Sequence, residues 1–287
     1  MEVKALACQM PAELDLPFSR LSSADIAREA VARGITASIS GATVWRWLSE
    51  DAIRPWSHRS WIFPRDPHFA QKAGPVLDLY EAIWEGTPLG PEDYVLSADE
   101  KTSIQARRRI APGTPTQPGQ MRRVEFEYER KGALAYSAAW DVQRAKVFGL
   151  CESSTGIEPF HRLVDLVMTQ EPYRSAKRVF WITDNGSSHR GPKAAKRLSQ
   201  WYPTAIHVPT PVHASWLNQI EIYFSILQRK VLTPHGFANL QELEDRILRF
   251  QMYYQQIAQP FEWKFTQDDL KSVLKRISHQ AKQRLAA

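Results

Sequence analysis

The sequence predicts an α/β core behind a small all-α domain, and three observations point there. Up to residue 92 the apolar positions recur mostly at helical spacing. From Tyr94 onward, short apolar or alternating runs of strand length take turns with helical segments, the order of an α/β domain. The charge changes at the same place, with a net of −3 over residues 1–92 and +9 over residues 93–287. The expected organisation is a helical domain over 1–50, a linker and connecting helix over 51–92, and the α/β domain over 93–287. Apolar residues at 43% and charged residues at 24% exclude a disordered tail or a low-complexity scaffold. No apolar run approaches the ~20 residues that cross a bilayer, and the N-terminus lacks a long apolar signal region. Cys8 and Cys151 alone make neither a disulfide framework nor a cysteine zinc site, so the expectation is a reduced, cytoplasmic protein with no membrane partner. The overall +6 charge is compatible with nucleic acid as partner.

Within the first domain, Ser22 or Ser23 caps a helix over Ala24–Arg33, with Ile26, Ala27, Ala30 and Val31 on one face. Gly34 supplies a turn, and Ser40 caps a second helix through Leu48 with Val44, Trp47 and Leu48 facing inward. Two readings stand: a plain helical bundle, or a helix-turn-helix whose second helix enters a major groove and presents Thr43 and Arg46 to DNA. Residues 51–68 are rich in Pro, Arg and Trp and read as an extended linker. Arg54, Arg59 and Arg65 are available there for phosphates, or are simply solvated. Asp66 is expected to cap a helix over Pro67–Glu85, which Gly86, Pro88, Gly90 and Pro91 end.

In the α/β domain, strands are expected at Tyr94–Ala98, Arg122–Tyr128, Ala133–Trp140, Lys146–Cys151, Val179–Thr183 and Ala205–Val208. Helices are expected over 156–170, over Pro192–Trp201 and through most of the chain after Trp216. That order matches a ribonuclease H-like core, a mixed five-stranded sheet with flanking helices.

Asp99 follows the first of these strands, Asp184 follows the strand ending at Thr183, and Glu221 lies in the first turns of a helix opened by Ser215–Asn218. If the two strands are neighbours, their two carboxylates lie side by side and resist joint ionisation unless a cation lies between them. Magnesium suits such a pair, because it takes oxygen ligands and leaves room for phosphate and water. With Glu221 completing a second ion's shell, the result is a two-metal clamp for displacement at phosphorus. Each acid taken alone is more simply a turn, cap or surface residue, and Glu100 is expected on the opposite face of the strand in a structural role.

Neighbouring residues carry paired readings. Asn185 and His189 orient water or phosphate, or merely shape a loop; His213 and Asn218 contact DNA or metal-bound water, or do neither. Trp216 reads better as a buried side chain than as a base-stacking platform. Arg107, Arg108 and Arg109, with Arg122 and Arg123, border a Pro/Gly-rich loop and grip phosphates or form a solvated basic loop. A zinc site from His189, His207 and His213 lacks helical ligand spacing and explains less than the acids do.

The stretches LSADEKTSIQA (96–106), ITDNGSSH (182–189) and PTPVHASWLNQIEIYFSILQRK (209–230) closely resemble the DDE transposases of the Tc/mariner superfamily, in particular its bacterial insertion-sequence-630 family. The order of helix-turn-helix, R-D-P linker and core extends the resemblance over essentially the whole chain. It implies that Asp99, Asp184 and Glu221 are the catalytic triad and the metal ligands, with two Mg²⁺ ions for which Mn²⁺ substitutes. The implied activity is cleavage at transposon ends followed by 3′-OH strand transfer into a TA target, without a covalent protein–DNA intermediate. The implied partners are double-stranded transposon inverted repeats and target DNA, bound by a homodimer at the bacterial nucleoid. Family members carry two helix-turn-helix units before the linker, whereas one fits here and resembles the second. Two rival expectations follow: a truncated, non-mobile DNA-binding remnant, and a nuclease of RNA–DNA hybrids, which the helix-turn-helix disfavours.

Overall fold

Two serine caps start the N-terminal helices where the sequence places them. The computed structural model describes residues 1–58, 66–186, 188–234 and 236–285, with side chains through residue 277. The chain divides between residues 63 and 64 into two compact units. In the first, α1 (Glu2–Ala7) and a 3₁₀ turn (Pro11–Leu14) precede α2 (Ser23–Ala32) and α3 (Gly41–Glu50). Ser22 Oγ accepts the Asp25 N–H at 3.2 Å while Asp25 accepts the Ser22 N–H at 2.9 Å, a reciprocal capping box. Ser40 Oγ accepts the Thr43 N–H at 3.1 Å. Ile26, Ala27, Ala30, Val44 and Leu48 pack with Val3, Leu6, Leu14 and Leu21 into one core. Trp47 and Val31, expected to face inward, are instead 38% and 41% exposed. Val44 and Leu48, one turn apart, already fill the α3 contact, so Trp47 is left at its margin. At Gly41 the two helices come close, since a Cβ there would lie 3.2 Å from the Ala24 Cα.

The second unit opens with α4 (Phe69–Tyr80), which is shorter than the expected Pro67–Glu85 helix. It starts late because Asp66 Oδ1 engages the His68 N–H at 2.9 Å in a turn that precedes the helix. It ends early because Ala82 and Glu85 take positive φ (57° and 50°), folding Ile83–Trp84 (β1) against Thr87–Pro88 (β2) as a small hairpin. Thus α4 and this hairpin, expected in a linker, fall within the second unit. Asp66 is also a tie, because its other oxygen accepts Lys72 Nζ at 2.6 Å and the Val212 N–H at 3.0 Å. Burial alone would raise its pKa; the donors from Lys72, Val212 and His68 outweigh that and bring it down to about 2.

The main sheet runs β5-β4-β3-β6-β7. Its strands are β3 (Asp93–Arg109), β4 (Tyr128–Asp141), β5 (Lys146–Glu152), β6 (Arg178–Thr183) and β7 (Ala205–Pro209). Neighbours β3, β4 and β5 pair antiparallel, whereas β6 is parallel to both β3 and β7. The mixed five-stranded expectation holds, with two corrections. The first strand continues past Ala98 to Arg109, because β4 supplies a partner along its length. Arg122–Tyr128 is not a strand before Tyr128: only Arg123 makes a bridge, to Thr114, and the alternating pattern leaves Phe126 91% exposed.

Side chains alternate between the two faces of the sheet. Leu96, Ala98, Val179 and Trp181 pack with Phe160, Leu163, Val164 and Leu198 of α5 (Ile157–Met168) and α6 (Gly191–Trp201). Val95, Phe180 and Ile182 face the other way. Their partners lie in α4, α7 (Ile220–Leu227) and α8 (Leu240–Ile257), among them Val76, Leu77, Tyr223, Phe224, Leu243 and Ile247. A π-helical segment (Gln228–Leu232) links α7 to α8, and α9 (Gln267–Leu285) packs on α4.

The start of α7 has no side-chain cap of its own. Its exposed donors are met from elsewhere: the Ile220 N–H donates to Ser97 Oγ at 2.8 Å and the Gln219 N–H to Tyr80 OH at 3.2 Å. Ser97 in turn donates to Asn218 Oδ1, and Asn218 Nδ2 donates to the Ala98 carbonyl at 2.9 Å. Tyr80 OH donates to the Leu217 carbonyl at 2.6 Å. Ser97 and Asn218 are both fully buried, so this network seats α7 on β3 out of contact with water.

Two outcomes follow. Asn218→Ala strands a buried hydroxyl and a buried carbonyl and is expected to cost about 3 kcal/mol in urea unfolding followed by circular dichroism; a loss below about 0.5 kcal/mol would contradict the network. Asp66 has a folded pKa below its ordinary value, so its contribution is full above about pH 4 and disappears as pH falls toward 2. Asp66→Ala should therefore cost about 2 kcal/mol at pH 7 and almost nothing near pH 2. An equal cost at both pH values would reject that sign.

Candidate active site

Strand register brings the two aspartates together. Ala98 of β3 lies beside Thr183 of β6, so the next residue on each strand, Asp99 and Asp184, comes at the same level. Alternation puts Asp99 on the face of Val95 and Ser97, the face that α7 covers. Glu221 lies in the first turn of that helix, which Ser97 and Asn218 hold against β3. The three acids therefore reach one place from three elements far apart in sequence.

Their electrostatics match that placement. Asp99 is pushed up to about 8, first by burial and then by the charges of Asp184, Glu100 and Glu221, despite a hydrogen bond from the Glu100 N–H. Burial would raise Asp184 as well, but hydrogen bonds from His189 and from the Gly186 N–H hold it below its ordinary value. Glu221 is raised by partial desolvation and by Asp184, against the downward pull of Lys101. The two carboxylates therefore resist joint ionisation, with Asp184 favoured to carry charge over Asp99. A cation held between these oxygens would relieve that repulsion. The donor set, carboxylate oxygens only, fits a hard divalent ion such as Mg²⁺ or Mn²⁺. Among the described residues, no three His, Cys, Asp or Glu side chains are grouped so as to hold a metal ion.

Beside Asp184 opens a cleft of about 490 Å³, whose lining includes Asn185, Gly186, Arg190, Thr210 and His213. His213 is exposed there with φ of 61°. Asn185 serves as a brace: its Nδ2 donates to the Thr210 carbonyl at 2.6 Å, joining the loops after β6 and β7. His207 Nε2 lies 2.8 Å from Thr183 Oγ1, and burial together with the positive charges of His189 and Arg197 pushes it down to about 4, so it stays neutral. His189 and His207 contact different residues, Asp184 and Thr183, and His213 lines the cleft. Trp216 is half-buried, edge-on to Phe265 at 5.1 Å, in line with the core reading.

The residues expected at DNA fall into three groups. Arg46, Arg54, Arg107, Arg108, Arg122 and His213 are exposed, and Thr43 is partly so, its hydroxyl 2.9 Å from Ser40 Oγ. Arg107 stacks over Tyr128 at 5.0 Å and Arg108 lies 3.9 Å from Glu129, while Arg109 Nη1 is spent on the Glu125 carbonyl at 2.6 Å. Arg59 and Arg65 lie outside the described residues. Asn218 needs correcting: it is fully buried and both ends of its amide are engaged with Ser97 and Ala98, leaving no edge for a phosphate. Tyr80 has no local sequence signal for its part in seating Glu221. Ser97 has one, a hydroxyl interrupting an apolar strand run.

Comparison with known proteins agrees with this fold. The family profile described as DDE superfamily endonuclease matches residues 94–244. No curated protein matches the sequence. Among solved structures, the pre-cleavage Mos1 transpososome is similar with a TM-score of 0.55 at 13% identity, over 89% of this chain and 73% of that one. The Mos1 mariner paired end complex with Mn gives 0.54 at 14% identity, over 87% and 73%. The Mos1 strand transfer complex gives 0.52 at 12% identity, over 89% and 72%. At such identities the likeness is one of fold, a ribonuclease H-like core with a helical region before it. The family match spans more than half of the chain and contains Asp99, Asp184 and Glu221, and on that ground the chain belongs to the DDE superfamily endonucleases.

Proposed function

We propose that the protein is a DNA transposase of the Tc/mariner superfamily, in its insertion-sequence-630 branch. It cuts DNA at transposon ends and joins the freed 3′-OH to target DNA, at a TA dinucleotide. The observation that carries this is the meeting of Asp99, Asp184 and Glu221 at one end of a β3–β6 parallel pair, under a helix tied down by Ser97 and Asn218. The similar structures support it, being Mos1 complexes with Mn and with Mg, of paired ends and of strand transfer.

In this reading Asp99, Asp184 and Glu221 hold two divalent ions, which when bound supply positive charge to the phosphorane-like transition state and acidify the attacking hydroxyl. The chain's own part is to keep those oxygens converged and partly desolvated, so that charge on the reacting phosphate is met at close range. Arg190 and His213 on the cleft wall take the flanking phosphates. Arg107, Arg108 and Arg122 grip the duplex beyond, Thr43 and Arg46 contact it from the helix-turn-helix unit, and Arg54 contacts it from the segment that follows. The chemistry needs no nucleophilic side chain. The protein acts as a homodimer on DNA, in the bacterial cytoplasm at the nucleoid.

Asp184→Asn keeps the shape and removes a charge the ions require. Nicking of a labelled transposon-end duplex is expected to fall by about 10³-fold or more in either Mg²⁺ or Mn²⁺, with duplex affinity within a few-fold of the parent. Near-parental cleavage would reject the triad; duplex binding with no nicking by the parent protein would leave only a DNA-binding remnant. Replacing Arg107, Arg108 and Arg122 together by Ser should flatten the slope of log K against log salt by about 2 to 3, at about 0.9 for each phosphate no longer neutralised. An unchanged slope would remove these residues from the interface.

A further inference from the structure

His189 is 1% exposed and sits on the α5–α6 side of the sheet, its ring edge-on to Phe160 with centroids 4.3 Å apart. In that apolar setting each ring nitrogen meets one carboxylate. Nδ1 hydrogen-bonds with Asp184 Oδ1 at 3.2 Å, whereas Nε2 makes an ion-pair contact with Glu100 Oε1 at 3.3 Å without hydrogen-bond geometry. Glu100 is itself withdrawn from water, with its side chain 8% exposed, and the Ser188 hydroxyl approaches it at 3.4 Å. Alternation along β3 explains the arrangement: Asp99 faces α7, while Glu100, one residue later, faces the opposite side and meets His189.

A buried acid–imidazole–acid row is an expensive way to fill a core, since apolar side chains of the same volume avoid the desolvation. What the row does achieve is aimed at one atom. Asp184 Oδ1 receives both His189 Nδ1 and the Gly186 N–H, the latter at 2.7 Å, and so Oδ2 is the oxygen left for a cation. Gly186 is part of the same device, because a Cβ there would come within 2.9 Å of Oδ1 and push the carboxylate away. Partners of this kind orient ligating groups at metal sites and cost about 10–100-fold in metal affinity when lost.

We propose that His189, braced by Glu100, is the positioning residue of the catalytic metal site, fixing the rotation of the Asp184 carboxylate so that Oδ2 is presented to the cation. This rests on the reading of Asp184 as a metal ligand. His189 itself touches neither metal nor DNA. The row joins the two faces of the sheet, so a residue packed among α5 and α6 side chains controls the geometry of the acid pair on the other side.

The test is Mn²⁺ binding to the full chain without DNA, read by electron paramagnetic resonance and calorimetry, with circular dichroism to confirm folding. Asp184→Asn is expected to weaken Mn²⁺ strongly. His189→Ala is expected to weaken it about 10–100-fold. His189→Asn, whose amide reaches the Nδ1 position, should restore most of that loss, whereas His189→Gln, whose amide reaches the Nε2 position, should not. Glu100→Gln should cost a few-fold in the parent and nothing further in His189→Ala. On transposon-end DNA, kcat should fall with KM unchanged. Parental Mn²⁺ affinity in His189→Ala, together with loss in Asp184→Asn, would overturn the proposal and leave the triad standing. Parental affinity in Asp184→Asn would overturn both. If His189→Ala fails to fold, the Asn and Gln variants decide, and equal affinities for these two would overturn the proposal.

Discussion

Glu221 belongs to a helix that has no cap of its own, and everything at the site depends on how that helix end is met. Ser97 Oγ and Tyr80 OH accept its first N–H groups, and Asn218 closes the arrangement by gripping both Ser97 and the Ala98 carbonyl. These partners come from β3, from α4 and from the turn before α7. Because Ser97 and Asn218 are fully buried, neither can exchange its partner for water at low cost. The helix is therefore held at one depth and rotation over the strand that carries Asp99. A surface cap would have fixed the helix end without fixing the distance to the sheet.

The second constraint is electrostatic. Folding concentrates acidic groups where they repel, which raises Asp99 and Glu221. One positive partner, His189, relieves Asp184 from the far side of the sheet. The site thus gathers acidic groups on its open side, with His189 meeting Asp184 from the closed side and Lys101 offsetting only part of the burden on Glu221. That polarity is what a site for cation-assisted chemistry on a phosphate requires.

Much of this was legible in the chain. Ser22 and Ser40 cap helices as their positions indicate, the apolar runs at Val179–Thr183 and Ala205–Val208 are buried strands, and the acids lie at strand and helix ends. What misled was pattern without partner. Val124, Phe126 and Tyr128 alternate like a strand, yet no strand lies beside the first two and the alternation stays in solvent. Asn218 looked like a DNA contact because polar residues near a catalytic acid often are; only the fold reveals that both its ends are consumed. The His189–Glu100 contact joins positions 89 residues apart through a sheet that periodicity cannot assemble.

One end of the β3–β6 pair carries a fork of two hydrogen bonds from Arg178 to Asp93, at 2.9 and 2.6 Å. Counted from that fork, Asp99 and Asp184 each lie six residues along their own strands. The two strands act as rails of equal length, with an ionic rung at one end and the acid pair at the other. Parity then governs what the gene can tolerate. Inserting or deleting a single codon between rung and acid on either strand turns that carboxylate to the wrong face and breaks the pair, whatever residue is involved. The same change in the exposed 110–127 loop leaves the count intact. Length variation across this chain should therefore gather in the loop and spare two six-residue segments, even where their apolar side chains are freely exchanged.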